Sequence, residues 1–293
     1  MAEQGQNGRL AVWALLAGAL TWGVLWYPYR VLASQGVGGV LASVLTYAVA
    51  LALALLIWHR QLGPVRPSGL LLAIGLSGAA CNLGYVLATL HGEVMRVLLL
   101  FYLAPLWTVL LARLWLGERL NRVGAGVVAL SVVGAATMLW HPELGLPWPK
   151  NGAEWLGLGA GMLFACANVL SRKAENISIA QKSTAIFAGA VVLGGLLLVL
   201  GIEPWAAGSV GANWGLLLGV GVVLLVINMV VQFGLGHSPA NRAIVILLSE
   251  LVFAALASWI LAGEMMGARE WLGGGMIAAA SLFSARVGEG APA

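Results

Sequence analysis

The sequence predicts an all-α integral membrane protein, with ten transmembrane helices in two inverted five-helix repeats around a central cavity. Three observations carry that prediction: a chain too apolar to coat a soluble globule, ten apolar runs of spanning length, and a likeness between its two halves. Of the 293 residues, 61% are hydrophobic and 9% charged, with a mean hydropathy of +0.95, well outside the composition of a water-soluble domain. Lipid offers the backbone no hydrogen-bond partners, so each crossing must be a helix of about 20 apolar residues.

In chain order, residues 1–9 are polar and read as a cytoplasmic N-terminus. The apolar run behind them lacks a small-residue cleavage site, so 10–29 reads as a retained first span rather than a removed signal. Spans at 38–58, 69–90, 97–116 and 123–140 complete a first repeat, 10–140. A connecting loop, 141–154, holds Pro142, Pro147, Pro149 and Lys150 and divides the chain almost in half. Spans at 155–171, 183–202, 213–236, 243–262 and 271–286 form the second repeat, 155–286, followed by a cytoplasmic C-terminus, 287–293.

Dealing the loops alternately to the two sides puts eleven Lys and Arg residues on the side of the N-terminus. Only Arg30, Arg96, Lys150 and Arg269 fall on the other. That bias sets both termini in the cytoplasm of a bacterial inner membrane. Trp58, Trp115, Trp140, Trp155, Trp205, Trp214 and Trp271 lie near span ends, where indoles anchor a helix at the interface. All eleven acidic residues are Glu, which removes Asp-rich metal and diphosphate motifs. The net charge of +4 encodes orientation, so no nucleic-acid partner is expected. Cys81 and Cys166 fall in apolar runs, where thiols behave as small hydrophobes.

A shift of 146 positions lays Asn82 on Asn228, His91 on His237, Arg96 on Arg242, and Gly117-Glu118 on Gly263-Glu264. A shift of 142 lays Trp13 on Trp155 and Arg30 on Arg172. With an odd number of spans per half, the second half must enter from the opposite side. Such inverted repeats suit alternating access around a shared site near the midplane.

The half ends Leu116-Gly117-Glu118 and Ala262-Gly263-Glu264, with the run from Ser249 to Ala255 before the second, resemble the EamA-type carriers of the drug/metabolite transporter superfamily. The resemblance covers essentially the whole chain, with its nearest likeness to YddG-type exporters. It implies a secondary transporter that exports aromatic and other neutral amino acids from the cytoplasm. One departure is Leu251, where many members carry Pro after the Glu; a proline-dependent break in span nine is therefore not expected from the sequence.

Pro105, deep in span four, deprives the Phe101 carbonyl of its usual partner and is the hinge candidate. Its counterpart is Leu251, so any hinge reads as asymmetric. Glu250 is the one acidic side chain well inside a span; it must face the bundle interior as a proton site, a partner for a substrate ammonium, or a structural carboxyl. Asn82, Asn168, Asn228 and Gln232 are the mid-span amides. They either meet an amino acid's charged ends or tie helices together. Trp22, Tyr85, Tyr102 and Phe164 offer flat walls for a ring-bearing ligand, and the 142 shift places Trp22 on Phe164. Arg96 and Arg242 open their spans at opposite faces as gate partners or snorkelling anchors. Spacings such as Gly157 to Gly161, Gly211 to Gly215 and Gly215 to Gly219 permit close helix approach.

No phosphate loop of the form G-x-x-x-x-G-K-[ST] occurs, which argues against a self-contained ATP-driven pump. His59, His91, His141 and His237 sit at span ends or in loops, and neither H-E-x-x-H nor G-x-S-x-G is present. An enzyme, a cofactor and a bound metal are therefore not expected. The expected partners are amino acids as small-molecule substrates and the lipid bilayer, with the protein as a monomer. The alternatives are export or exchange of other small metabolites or drugs, a channel, or a lipid flippase.

Overall fold

The structure is a computed structural model and describes residues 2–62, 68–92, 94–140, 148–202, 204–208, 210–262 and 267–287. Gly263, Glu264, Pro142, Pro147, His141 and the end of the expected C-terminal tail lie outside the described residues. Within them the regular elements are helices: α1 (Ala2–Ser34), α2 (Gly39–Leu62), α3 (Gly69–His91), α4 (Val94–Phe101), α5 (Ala104–Trp115) and α6 (Arg122–Leu139). There follow α7 (Gly152–Lys173), α8 (Ile179–Val199), a 3-10 turn at Val210–Asn213, α9 (Trp214–Gly236), α10 (Ala240–Leu247), α11 (Glu250–Ala262) and α12 (Ala268–Val287). Side-chain oxygens of Ser68, Asn121, Asn151 and Ser178 cap α3, α6, α7 and α8, satisfying amides a helix start leaves orphaned.

Nine stretches among the described residues are long and apolar enough to cross a membrane: Asn7–Ser34, Gly39–Leu62, Gly69–Thr89, Arg96–Trp115, Arg122–Leu139, Gly152–Lys173, Ile179–Val199, Val210–Gly236 and Ala240–Leu261. The protein is thus a multi-pass, all-helical membrane protein. The expected tenth span, 271–286, is a helix, α12, which packs along α6 and is not among the nine. The first helix runs on past 29 to Ser34 with Pro28 inside it.

The helix contacts come in reciprocal pairs. α3 packs along α7 and α1 along α9; α3 lies on α8 and α2 on α9. α7 flanks α4 and α5, and α1 flanks α10 and α11, while α2 meets α8 and α6 meets α12. Small residues permit the closest of these approaches. A Cβ built on Gly134 would stand 2.9 Å from the Gly273 carbonyl oxygen, and one on Gly189 would stand 2.7 Å from that of Gly75. Gly157 and Gly161 likewise meet α4, but Gly211, Gly215 and Gly219 face open space, so that expected packing stripe makes no contact. Trp58 is also not an interfacial anchor: it is 4% exposed, packed among Tyr47, Phe187 and Leu62. Trp155, Trp205, Trp214 and Trp271 are exposed as expected.

Two spans are broken at matching places. The fourth divides at Tyr102-Leu103 into α4 and α5, and the ninth at Leu248-Ser249 into α10 and α11; these positions are 146 apart. Pro105 therefore does not kink a continuous helix but sits in the first turn of α5, where a missing N–H costs nothing. Although the expectation was an asymmetric hinge, the second break forms without a proline. There Ser249 donates both its N–H (3.1 Å) and its hydroxyl (2.6 Å) to the Ile246 carbonyl, and Leu251 N–H turns to Leu248 at 3.1 Å. Side-chain capture of a carbonyl competes with the helix ladder and replaces the proline's effect.

Candidate functional site

The two breaks meet in one cluster. Phe101 at the end of α4 and Tyr102 in the first break pack with Leu248 and Leu251 at the second, joined by Cys81 and Tyr85 of α3 and Phe164 of α7. Phe101 stands at the centre, with ring centroids 5.1 Å from Tyr85, 5.2 Å from Tyr102 and 5.7 Å from Phe164. Offset and edge-on rings at such spacing form a firm apolar wall. Glu250, the first residue of α11, stands beside the Tyr102 hydroxyl. Its side chain is partly accessible while Ser249 and Leu251 beside it are buried.

Two helices clasp the breaks. A Cβ on Gly161 of α7 would fall on the Phe101 carbonyl oxygen, the group Pro105 leaves without its usual i+4 donor. On Gly23 of α1 it would stand 2.8 Å from the Glu250 carbonyl oxygen and 2.9 Å from the Ala254 nitrogen. Each half thus lends a glycine to hold the other half's broken span.

Of the candidates read from the sequence, Tyr85, Tyr102, Phe164 and Glu250 come together, with Pro105 buried one turn below. Trp22 does not join Phe164; it packs against the separate cluster of Tyr47, Phe187 and Leu225. Asn82 Oδ1, Asn168 Nδ2, Asn228 Oδ1 and Gln232 Oε1 are each buried without a hydrogen-bond partner. Buried polar atoms are rarely left so, and Gln232 lies with Arg172 and Lys182 rather than at the aromatic wall. Phe101 was named in the sequence only for the carbonyl that Pro105 frees, and its ring was not among the site candidates.

The bundle ends are tied across the halves. Arg96 is not a free anchor: its Nε donates to Glu154 Oε1 at 2.8 Å and an Nη to Oε2 at 2.9 Å, with the two side chains 6% and 3% exposed. Arg96 also donates to the Trp148 carbonyl at 2.9 Å, and Lys150 N–H donates to Glu154 at 2.8 Å. At the opposite end, Glu118 behind Gly117 (φ 70°) accepts from the N–H groups of Ala240 and Asn241 at 3.1 and 3.4 Å. A carboxylate there favours the α10 N-terminus. Its counterpart in the repeat, Glu264, is outside the described residues.

Residues 9–140 and 151–286 match the EamA-like transporter family. The chain is 28% identical over 225 residues to an uncharacterized transporter of Archaeoglobus fulgidus, covering 75% of this chain and 78% of that one. To a pseudopaline exporter of Pseudomonas aeruginosa it is 26% identical over 224 residues, 75% and 76% of the two chains. A probable terminal-alkyne amino-acid exporter of Streptantibioticus cattleyicolor is 38% identical over 135 residues, 44% of each chain. A crystal structure with 18% identity superposes with a TM-score of 0.76 over 94% of this chain and 96% of its own, a likeness of fold alone.

Proposed function

The chain belongs to the EamA-like transporter family, and from that membership we propose that it is a secondary carrier exporting aromatic and other neutral amino acids across a bacterial inner membrane, akin to YddG-type exporters. The observation that carries this reading is the convergence of both broken spans on the aromatic wall and Glu250. Glu250 receives the ammonium of the substrate, while Tyr85, Phe101, Tyr102 and Phe164 enclose its side chain. The N-terminal ends of α5 and α11, which begin at the breaks, favour its carboxylate.

Ten spans in two inverted halves, 10–140 and 155–286, with both termini cytoplasmic, complete the proposal. Reciprocal helix pairing and matched breaks support the inversion, and the eleven-to-four division of Lys and Arg supports the orientation. Exchange of the two halves' conformations then opens one shared site to each side in turn. The likeness to a pseudopaline exporter over three quarters of the chain favours a second reading, export of another small metabolite.

Purified protein in liposomes is expected to move labelled phenylalanine saturably, with tyrosine and tryptophan competing. Competition by unrelated metabolites alone would favour the second reading. Glu250→Gln keeps the size of the side chain beside Tyr102 but removes the charge offered to the ammonium. Its kcat/KM for phenylalanine should fall roughly 10- to 100-fold, the worth of a charge-assisted hydrogen bond, with a flattened pH profile. Full activity with the wild-type profile would return Glu250 to a structural role.

A further inference from the structure

A cleft of about 350 Å³ opens between the ends of α7, α8 and α9, lined by Arg172, Lys182, Gln232, Glu175, His237 and the first turn of α8. It lies away from the aromatic cluster. Lys182 is only 4% exposed, and its ammonium donates to the Ser171 carbonyl at 2.7 Å, its one hydrogen bond among the described residues. Two donors remain. Arg172 donates to the Gly236 carbonyl and stands 3.8 Å from Glu175, whose side chain is 71% exposed. Gln232 is 4% exposed and leaves Oε1 without a partner. Burying a lysine with spare donors is costly unless an anion completes its shell. The volume suits a small ligand.

We propose that this cleft is an outer oxyanion site, in which Lys182, aided by Arg172 and the α8 N-terminus, takes the carboxylate of a small organic acid or zwitterion before it reaches the centre. Gln232 Oε1 accepts from the ammonium when there is one. Two stripes lead inward. On α7, Phe164, Asn168 and Ser171 share a face, as do Asn228 and Gln232 on α9. From Arg172 to Phe164 is eight residues, about 12 Å of helix, so the cleft lies roughly two turns from the aromatic wall. The site rests on the export reading only for its side of the membrane, which that reading makes cytoplasmic. A phospholipid phosphate offers the same chemistry as a carboxylate, and the test separates the two sources.

Equilibrium binding of labelled hydrocinnamate, which has a ring and a carboxylate but no ammonium, is measured on the protein in phosphatidylcholine nanodiscs. Saturable binding is expected, weakened roughly 10- to 100-fold by Lys182→Gln and largely restored by Lys182→Arg. Binding of labelled phenethylamine, which lacks the carboxylate, should not respond to either change. With phosphatidylglycerol added, loss of hydrocinnamate binding in wild type assigns the site to a lipid phosphate, and indifference assigns it to the soluble carboxylate; either outcome supports the oxyanion site. Hydrocinnamate binding that Lys182→Gln leaves unchanged, with Lys182→Arg folded and equally unaffected, overturns it. Because binding rather than flux is read, absence of phenylalanine transport would defeat the export reading without touching this result.

Discussion

Replacing Glu154 by Ala is expected to lower the protein's stability by about 3–5 kcal/mol, because it strands a guanidinium that the fold has taken out of water. Arg96 has 5% exposure and spends two donors on this one carboxylate. Glu154 also gathers the Lys150 N–H and the Asn151 amide, at 2.8 and 3.0 Å, at the start of α7. Removing it therefore loosens the joint between the first repeat's fourth span and the second repeat's first. The check is thermal or denaturant unfolding in detergent, with the double replacement Arg96→Met, Glu154→Leu alongside. Since an apolar pair can stand in for a buried ion pair, the double variant should recover much of the loss. If Glu154→Ala unfolds like wild type, the pair is a surface contact and the tie between halves at that end is absent.

A large effect on transport is expected at Gly161. A Cβ there would fall on the Phe101 carbonyl oxygen and 3.0 Å from the carbonyl carbon, so the obstacle is backbone and cannot swing aside. Overpacking of this kind costs about 1–3 kcal/mol for the smallest added group. In Gly161→Val the last turn of α4 must move, and with it Phe101 and Tyr102, so transport should be lost while the helices persist. The control is Gly159→Ala on the same helix, where nothing lies within 4 Å. Equal uptake by both variants in liposomes would mean that the α4 break is not part of the working site.

Much of the fold was legible because lipid imposes so strict a rule: apolar runs must be helices, and their number and order along the chain follow from hydropathy. The cluster of Tyr85, Tyr102, Phe164 and Glu250 was legible in part, since polar and aromatic groups at mid-span are few. Four features were not. The ninth-span break depends on Ser249 turning its hydroxyl back to Ile246, whereas sequence reasoning attends to proline. The pairing of Arg96 with Glu154 joins residues 58 apart, and no local pattern announces it. Trp22 joined the other aromatic cluster because a helix rotation of one residue decides which neighbour a ring meets, and the alignment of halves by a 142 shift is too coarse to fix that. Trp58 sat near a predicted span end yet was buried, since α2 runs to Leu62 and packs on α8 through that last turn.

Alternating exposure of one shared site is tested most directly by counterflow. Liposomes preloaded with unlabelled phenylalanine are diluted into a trace of labelled phenylalanine, and the label is followed. A carrier predicts a transient accumulation of label above its outside concentration, saturable and absent from empty liposomes. Label that merely equilibrates, at a rate linear in concentration and indifferent to the preload, would contradict it.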